Sequence, residues 1–173
     1  MLRDSRIAMK AGKVPTEKLH SDYYTLEFKP HDQYNFWTYC TVEMSLDREN
    51  NNLIELFIFS PRQDETNVAL LTFCASYLGN DLPLNLNYTV NVGQPGLNQS
   101  ECDHGFISLP YLDGENLELF DFNSKTYHCY WFIPLRNKKK QFKTDNGSEA
   151  LEQLFEEKQF NYLDPKRPCL VAP

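Results

Sequence analysis

Glycine is scarce in this chain, with 7 among 173 residues, and neither G-x-x-x-x-G-K-S/T nor G-x-G-x-x-G occurs. Without such a loop no row of backbone N–H groups converges on a phosphate, so nucleotide chemistry has no support. No G-x-S-x-G elbow presents a serine, and no H-E-x-x-H sets two imidazoles on one helical face. The five cysteines (Cys40, Cys74, Cys102, Cys129 and Cys169) are odd in number and include no C-x-x-C pair, which argues against a disulfide framework and a zinc knuckle. Three of them, Cys40, Cys74 and Cys129, lie in apolar stretches and read as small hydrophobes. The longest strongly apolar run, Val68 to Leu78, is about half of the roughly 20 residues that cross a bilayer. Met1 to Val14 carries Arg3, Arg6, Lys10 and Lys13 but no apolar signal core. No membrane association and a cytoplasmic location are therefore expected.

Positive charge is missing from a long central stretch. Between Gln63 and Ser124 there is no Lys or Arg, but there are nine acids: Asp64, Glu65, Asp81, Glu101, Asp103, Asp113, Glu115, Glu118 and Asp121. Arg136, Lys138, Lys139, Lys140 and Lys143 then crowd one short segment, and the chain totals −7. An acidic chain repels phosphate backbones, so nucleic acid is not an expected partner. If the acids share a face they attract a basic partner; otherwise they decorate wetted loops.

Aromatic side chains are plentiful: 12 Phe, 10 Tyr and 2 Trp. That is ample apolar area to offset the entropy of ordering one domain. Residues 1–20 read as a basic N-terminal arm and 21–173 as the domain. Tyr23 to Lys29 and Asn35 to Ser45 have the composition of a hairpin turned at Pro30-His31-Asp32. Leu53 to Ser60 is apolar on both faces apart from Glu55, as a covered strand would be. Leu70, Leu71, Cys74, Tyr77 and Leu78 give a helical stripe over Asn67 to Leu78, capped by Asp64 or Thr66 and stopped by Gly79-Asn80. Short strands follow at Tyr88 to Val92, Phe106 to Leu109 and Leu117 to Phe122. Lys125 to Leu135 is the most apolar strand, with Tyr127, Cys129, Trp131 and Ile133 on one face and His128, Tyr130 and Phe132 on the other. A closing helix is predicted from Ser148, with Asn146 and Glu149 as a capping box. The sum is an α/β (α+β) single domain, a mixed and mostly antiparallel central sheet with helices packed on it.

Three constellations could carry chemistry. Cys102-Asp103-His104 with His128-Cys129 offers metal-ligand types, but neighbours on a strand face opposite ways, so His128 and Cys129 cannot both reach one ion without a bulge. Cys102 or Cys129 with His104 or His20 could form a nucleophile and base, which spacing alone cannot establish. Glu43 and Glu55, on neighbouring strands, could meet as an acid/base pair, or one of them could be hydrogen-bonded to backbone or to a nearby Arg. None amounts to an active site, and no catalytic residue, metal or cofactor is expected.

The order of motifs carries more. Trp37-Thr38-Tyr39-Cys40-Thr41-Val42-Glu43-Met44-Ser45 resembles the W-x-Y-x-T-x-G-M-S stretch of suppressor-of-fused-like domains, with Glu43 where that family usually has Gly. Ile54-Glu55-Leu56-Phe57-Ile58 is similar to their E-L strand, and Ala69 to Leu78 to their helix. Val92-Gly93-Gln94-Pro95 resembles the G-x-P turn, and Phe106 to Pro110 the strand ending in proline. Gly147 to Leu154, with Asp164 and Arg167, resembles the closing helix and terminal D-x-x-R. A basic run, Lys138 to Lys140, stands where the family often has an acid. The blocks span residues 23–171.

The resemblance implies binding rather than turnover. The eukaryotic member grips a peptide as a β-strand between this domain and a second one, whereas stand-alone bacterial members look like immunity proteins. With no room for a second domain, this chain is expected to be of the stand-alone kind: a non-enzymatic module that neutralises a protein partner, such as a basic toxin. Acidic steering would speed such an encounter. The contact positions expected are Asp47, Glu49, Glu101, Asp103, Asp113 and Glu115. The motif positions are Trp37, Tyr39, Thr41, Met44, Ser45, Glu55, Leu56, Pro110 and Arg167. Two alternatives are a small hydrolase or metalloenzyme using Cys102, His104 and His128, and a domain that accepts a peptide on a sheet edge.

Overall fold

The computed structural model describes residues 6–7, 19–45, 53–78, 84–93, 100–112, 114–164 and 166–171, with Arg6, Ile7, Glu115 and Asn116 described by their backbone only. Asp47, Glu49, Asp113, the Gly79-Asn80 helix stop and the side chain of Glu115 lie outside that set.

The two aromatic and β-branched segments do form a hairpin: β2 (Tyr24–Phe28) runs antiparallel to β3 (Trp37–Val42), with Leu26 opposite Cys40. A two-residue strand, β1 (Arg6–Ile7), pairs with the outer side of β2. On its other side β3 pairs with β4 (Leu53–Ser60), all eight of whose residues are buried. The next neighbour, β8 (Lys125–Leu135), is parallel to β4, with Leu56 opposite Tyr130. A parallel neighbour requires a crossover. Here the crossover holds α1 (Glu65–Leu78), β5 (Thr89–Asn91), β6 (His104–Ser108), α2 (Glu115–Glu118) and β7 (Leu119–Phe122). The sheet order is β1-β2-β3-β4-β8-β6-β5, with β7 beside the start of β8. The two most apolar strands are thus the central pair, covered on both faces as their composition predicts.

One face buries Tyr39, Ile54, Leu56, Ile58, Tyr130 and Phe132 under Val68, Leu71 and Cys74 of α1. The other buries Phe57, Phe59, Cys129, Trp131 and Ile133 under Leu151 and the residues following it. The alternation expected along β8 is the observed one. Helix α1 starts as expected, with the Thr66 N–H donating to Asp64 Oδ1 at 2.9 Å.

Two local expectations fail. Leu117 and Glu118 belong to α2, so β7 begins only at Leu119. The basic segment is a helix, α3 (Asn137–Asn146), ended by Gly147 at φ +94°, and α4 (Ser148–Glu157) follows directly. Asn146 therefore caps nothing: its side chain donates back to the Phe142 carbonyl at 2.9 Å, and α4 has no side-chain cap. No apolar stripe marks α3, whose only large apolar residue is Phe142. Its inward face is made by Phe142 together with the stems of Lys139 and Lys143, the latter's ammonium donating to the Asn87 carbonyl and Thr89 Oγ1.

Candidate functional site

Four of the motif residues, Thr41, Met44, Ser45 and Glu55, form one hydrogen-bonded knot at the β3–β4 end. Glu55 is 4% exposed. One of its oxygens accepts from Thr41 Oγ1 at 2.5 Å and the other from the Met44 N–H at 3.0 Å. Thr41 Oγ1 in turn accepts from the Leu56 N–H at 2.8 Å, and the Ser45 hydroxyl both donates to and accepts from the backbone of Ile54. Tyr39, fully buried, accepts the Asp64 N–H at 2.6 Å and so ties β3 to the start of α1. Trp37 packs at the edge of the core and Leu56 inside it. Pro110 is buried at the end of β6, where its carbonyl accepts from the Gly114 N–H. Arg167, 4% exposed, donates to the carbonyls of Asp164 and Pro134 and lies 4.4 Å over the Phe160 ring, tying the tail to β8. These positions hold the fold together.

Of the two arrangements open to Glu43 and Glu55, the structure shows Glu55 held by a backbone hydrogen bond, with the Glu43 charge nearby. Burial pushes Glu55 up to about 7, against the pull of Thr41 and Met44 and with a further push from Glu43. Glu43 itself sits at φ +61° with a buried Oε2 that has no hydrogen-bond partner. The backbone thus takes a glycine-like turn at the position where the resembled motif has glycine.

The Cys/His constellation does not assemble. His104 lies opposite Leu135 on β8, seven positions from His128, which separates them by roughly 20 Å at the usual rise per residue. His104 Nδ1 is taken by Asp103 at 2.9 Å. Among the described residues no three His, Cys, Asp or Glu side chains could hold one metal ion.

Of the expected contact acids, Glu101 meets Arg136 at 2.5 Å and Asp103 is hydrogen-bonded to His104 Nδ1, so both already have partners within the chain. The sequence pattern missed a groove of about 200 Å³ on the α4 face of the sheet. Trp131 and Ile133 of β8 form its floor, and Phe155, Phe160 and Tyr162 one wall. Tyr111 and Leu112, both largely exposed, form the opposite wall. Ser108, Glu152 and Glu156 supply its polar atoms, the Ser108 hydroxyl donating to Glu152 Oε1 at 2.9 Å. Desolvation, reinforced by the Glu152 carboxylate, pushes Tyr111 up to about 12, so its hydroxyl keeps its proton at neutral pH. A signal existed in Glu152, Phe155 and Glu156, which recur at i, i+3 and i+4 on one helical face. The apposition of that face to Tyr111 depends on tertiary structure.

Comparisons with known proteins agree with this architecture. The profile of the Suppressor of fused protein (SUFU) family matches residues 18–168. A suppressor of fused homolog from Neisseria gonorrhoeae superposes with a TM-score of 0.81 at 26% identity, over 98% of this chain and 90% of that one. Drosophila Suppressor of Fused shares the fold at 12% identity and a TM-score of 0.62, over 86% of this chain and 42% of its own length. A structure of a Sufu–Fu complex shares it at 10% identity and a TM-score of 0.59. Among curated proteins, immunity protein YqcF of Bacillus subtilis is 30% identical over 73 residues, which is 42% of this chain and 38% of that protein. The match thus spans under half of either. Among the described residues no helix is long and apolar enough to cross a membrane.

Proposed function

The chain belongs to the suppressor of fused family, and from that footing we propose that it is a non-enzymatic immunity-type protein, cytoplasmic and bacterial, that binds and neutralises a protein toxin. The observation that carries this reading is the kinship with immunity protein YqcF. The family makes the chain a protein-interaction module, and its net charge of −7 suits a basic partner, whose approach it would steer. In this reading the domain proper is residues 21–173, with 1–20 as an arm. The contact acids are Asp47, Glu49, Asp113 and Glu115, with Glu101 and Asp103 contributing less because Arg136 and His104 already engage them.

The test is co-expression with the product of the adjacent gene. Co-purification at low salt, weakening as salt rises, together with rescue of growth, is the expected result. Absence of both binding and protection would overturn the reading.

A further inference from the structure

The α4-face groove has the polarity of a receptor for one kind of side chain. At about 200 Å³ it is smaller than the roughly 300–1,000 Å³ of small-molecule sites, and it is open along one side. Among the described residues no Lys or Arg lines it. Its two carboxylates stand on consecutive turns of α4. Glu152 is held by the neutral Ser108 hydroxyl and the protonated Tyr111, and neither Glu152 nor Glu156 has a salt-bridge partner among the described residues. Neutral donors fix the geometry of Glu152, and among the described residues no cation compensates its charge. At the far end the polarity reverses: Lys139 Nζ and the Arg167 guanidinium each lie 4.4 Å from the Phe160 ring centroid and bring positive charge up behind that wall. A guest's cation is therefore driven to the Glu152 end, while an apolar neighbour is accepted against Trp131 and Phe160.

We propose that this groove receives an arginine or lysine side chain, with an adjoining apolar residue, from an extended segment of a protein partner. The head group bonds Glu152 and Glu156 while the stem lies across the Tyr111 and Trp131 rings. A charge-assisted pair in a half-closed aromatic site and a cation over a tyrosine face are both among the stronger polar contacts that interfaces use. The assignment rests on the protein-binding reading above and names the chemistry that one site of it recognises.

The test uses the full chain and the tripeptide acetyl-Leu-Arg-Leu-amide, followed by ¹H–¹⁵N correlation spectra. Saturable shifts of the Trp131 indole N–H and of α4 amides are expected. They should weaken at least about tenfold when citrulline replaces arginine, and comparably in Glu152→Gln/Glu156→Gln. That pair keeps the side-chain shape and the acceptor for Ser108; a thermal melt checks its folding, and Leu112→Ser on the exposed wall gives a second variant. No saturable shift, or equal shifts with citrulline, overturns the assignment. Protection against the toxin separates the two ideas. If the wild type and the double variant protect equally, the groove assignment fails and the immunity reading stands. If arginine-dependent binding occurs without any protection, the groove assignment stands alone.

Discussion

The ring of Phe132 on β8 fills the space into which a side chain at Gly105 on β6 would project: a Cβ there would stand 1.7 Å from the ring's Cζ. Phe132 is fully buried, and Gly105 lies opposite Pro134, so the two strands approach through a gap that only hydrogen can occupy. The glycine is needed here for close approach rather than for its backbone angles.

Gly105→Ala is accordingly expected to cost about 3 kcal/mol or more, at the upper end of overpacking penalties, because both strands are internal to the sheet. Phe132→Leu alone leaves a void and also destabilises. The double variant should lose clearly less than the sum of the two, a coupling that urea denaturation of all four proteins would read. Simple additivity would mean that the ring is not what excludes the methyl group.

Glu43→Gly is expected to stabilise by about 1 kcal/mol, since it relieves an L-residue held at φ +61° and removes a buried, unpartnered oxygen beside Glu55. Glu43→Ala removes the carboxylate but keeps the strain. Denaturation midpoints that gain as much from alanine as from glycine would assign the effect to charge instead of backbone.

Glu55 makes stability depend on pH. Its carboxyl is raised from 4.5 to about 7, so the folded state holds the proton more tightly than the unfolded one. The contribution is full below about 4.5 and is lost as pH rises through 7. Its size is at most about 3 kcal/mol at the usual conversion. Between pH 5 and 8 the wild type should lose stability relative to Glu55→Gln. Parallel curves for the two proteins would contradict the assignment.

Lys139 acts in a separate window. Burial, helped by the nearby Arg167 charge, lowers its ammonium from 10.5 to about 8. In this case the unfolded state binds the proton more tightly, so the group costs most below about 8 and the cost is relieved as pH rises toward 10.5. Buried Tyr23 and Cys74, both raised, drive stability the other way in the alkaline range. The effect is therefore read as the difference between wild type and Lys139→Met. That difference should favour the wild type progressively from pH 8 to 10; a flat difference would show that the ammonium is better solvated than its burial implies.

What could be seen from the chain itself followed residue type. The runs Leu53–Ser60 and Lys125–Leu135 announce covered strands because both alternating faces are apolar, and α1 announces itself by its stripe and by Asp64. Helix α3 was hidden because its packing uses lysine stems, which composition scores as polar. The first turn of the expected third late strand was likewise hidden, since four residues of helix carry too little periodicity to distinguish from strand. Among candidate site residues, Thr41, Glu55 and Arg167 were visible as motif positions, but their role as structural ties appears only with their partners in place.

By itself the sequence determined the fold class, the family and the absence of the common catalytic loops, since these depend on local pattern and on the order of motifs. Tertiary structure alone decided three further matters. It set Cys102-Asp103-His104 beside the far end of β8 from His128-Cys129, because register is a property of pairing and not of spacing. It put a pair of carboxylates against an aromatic wall drawn from β8, α4 and the residues that follow α4. It also showed where the acidic surplus of the central stretch is already answered, at Glu101 by Arg136, because charges separated along the chain interact only through the distances that folding sets.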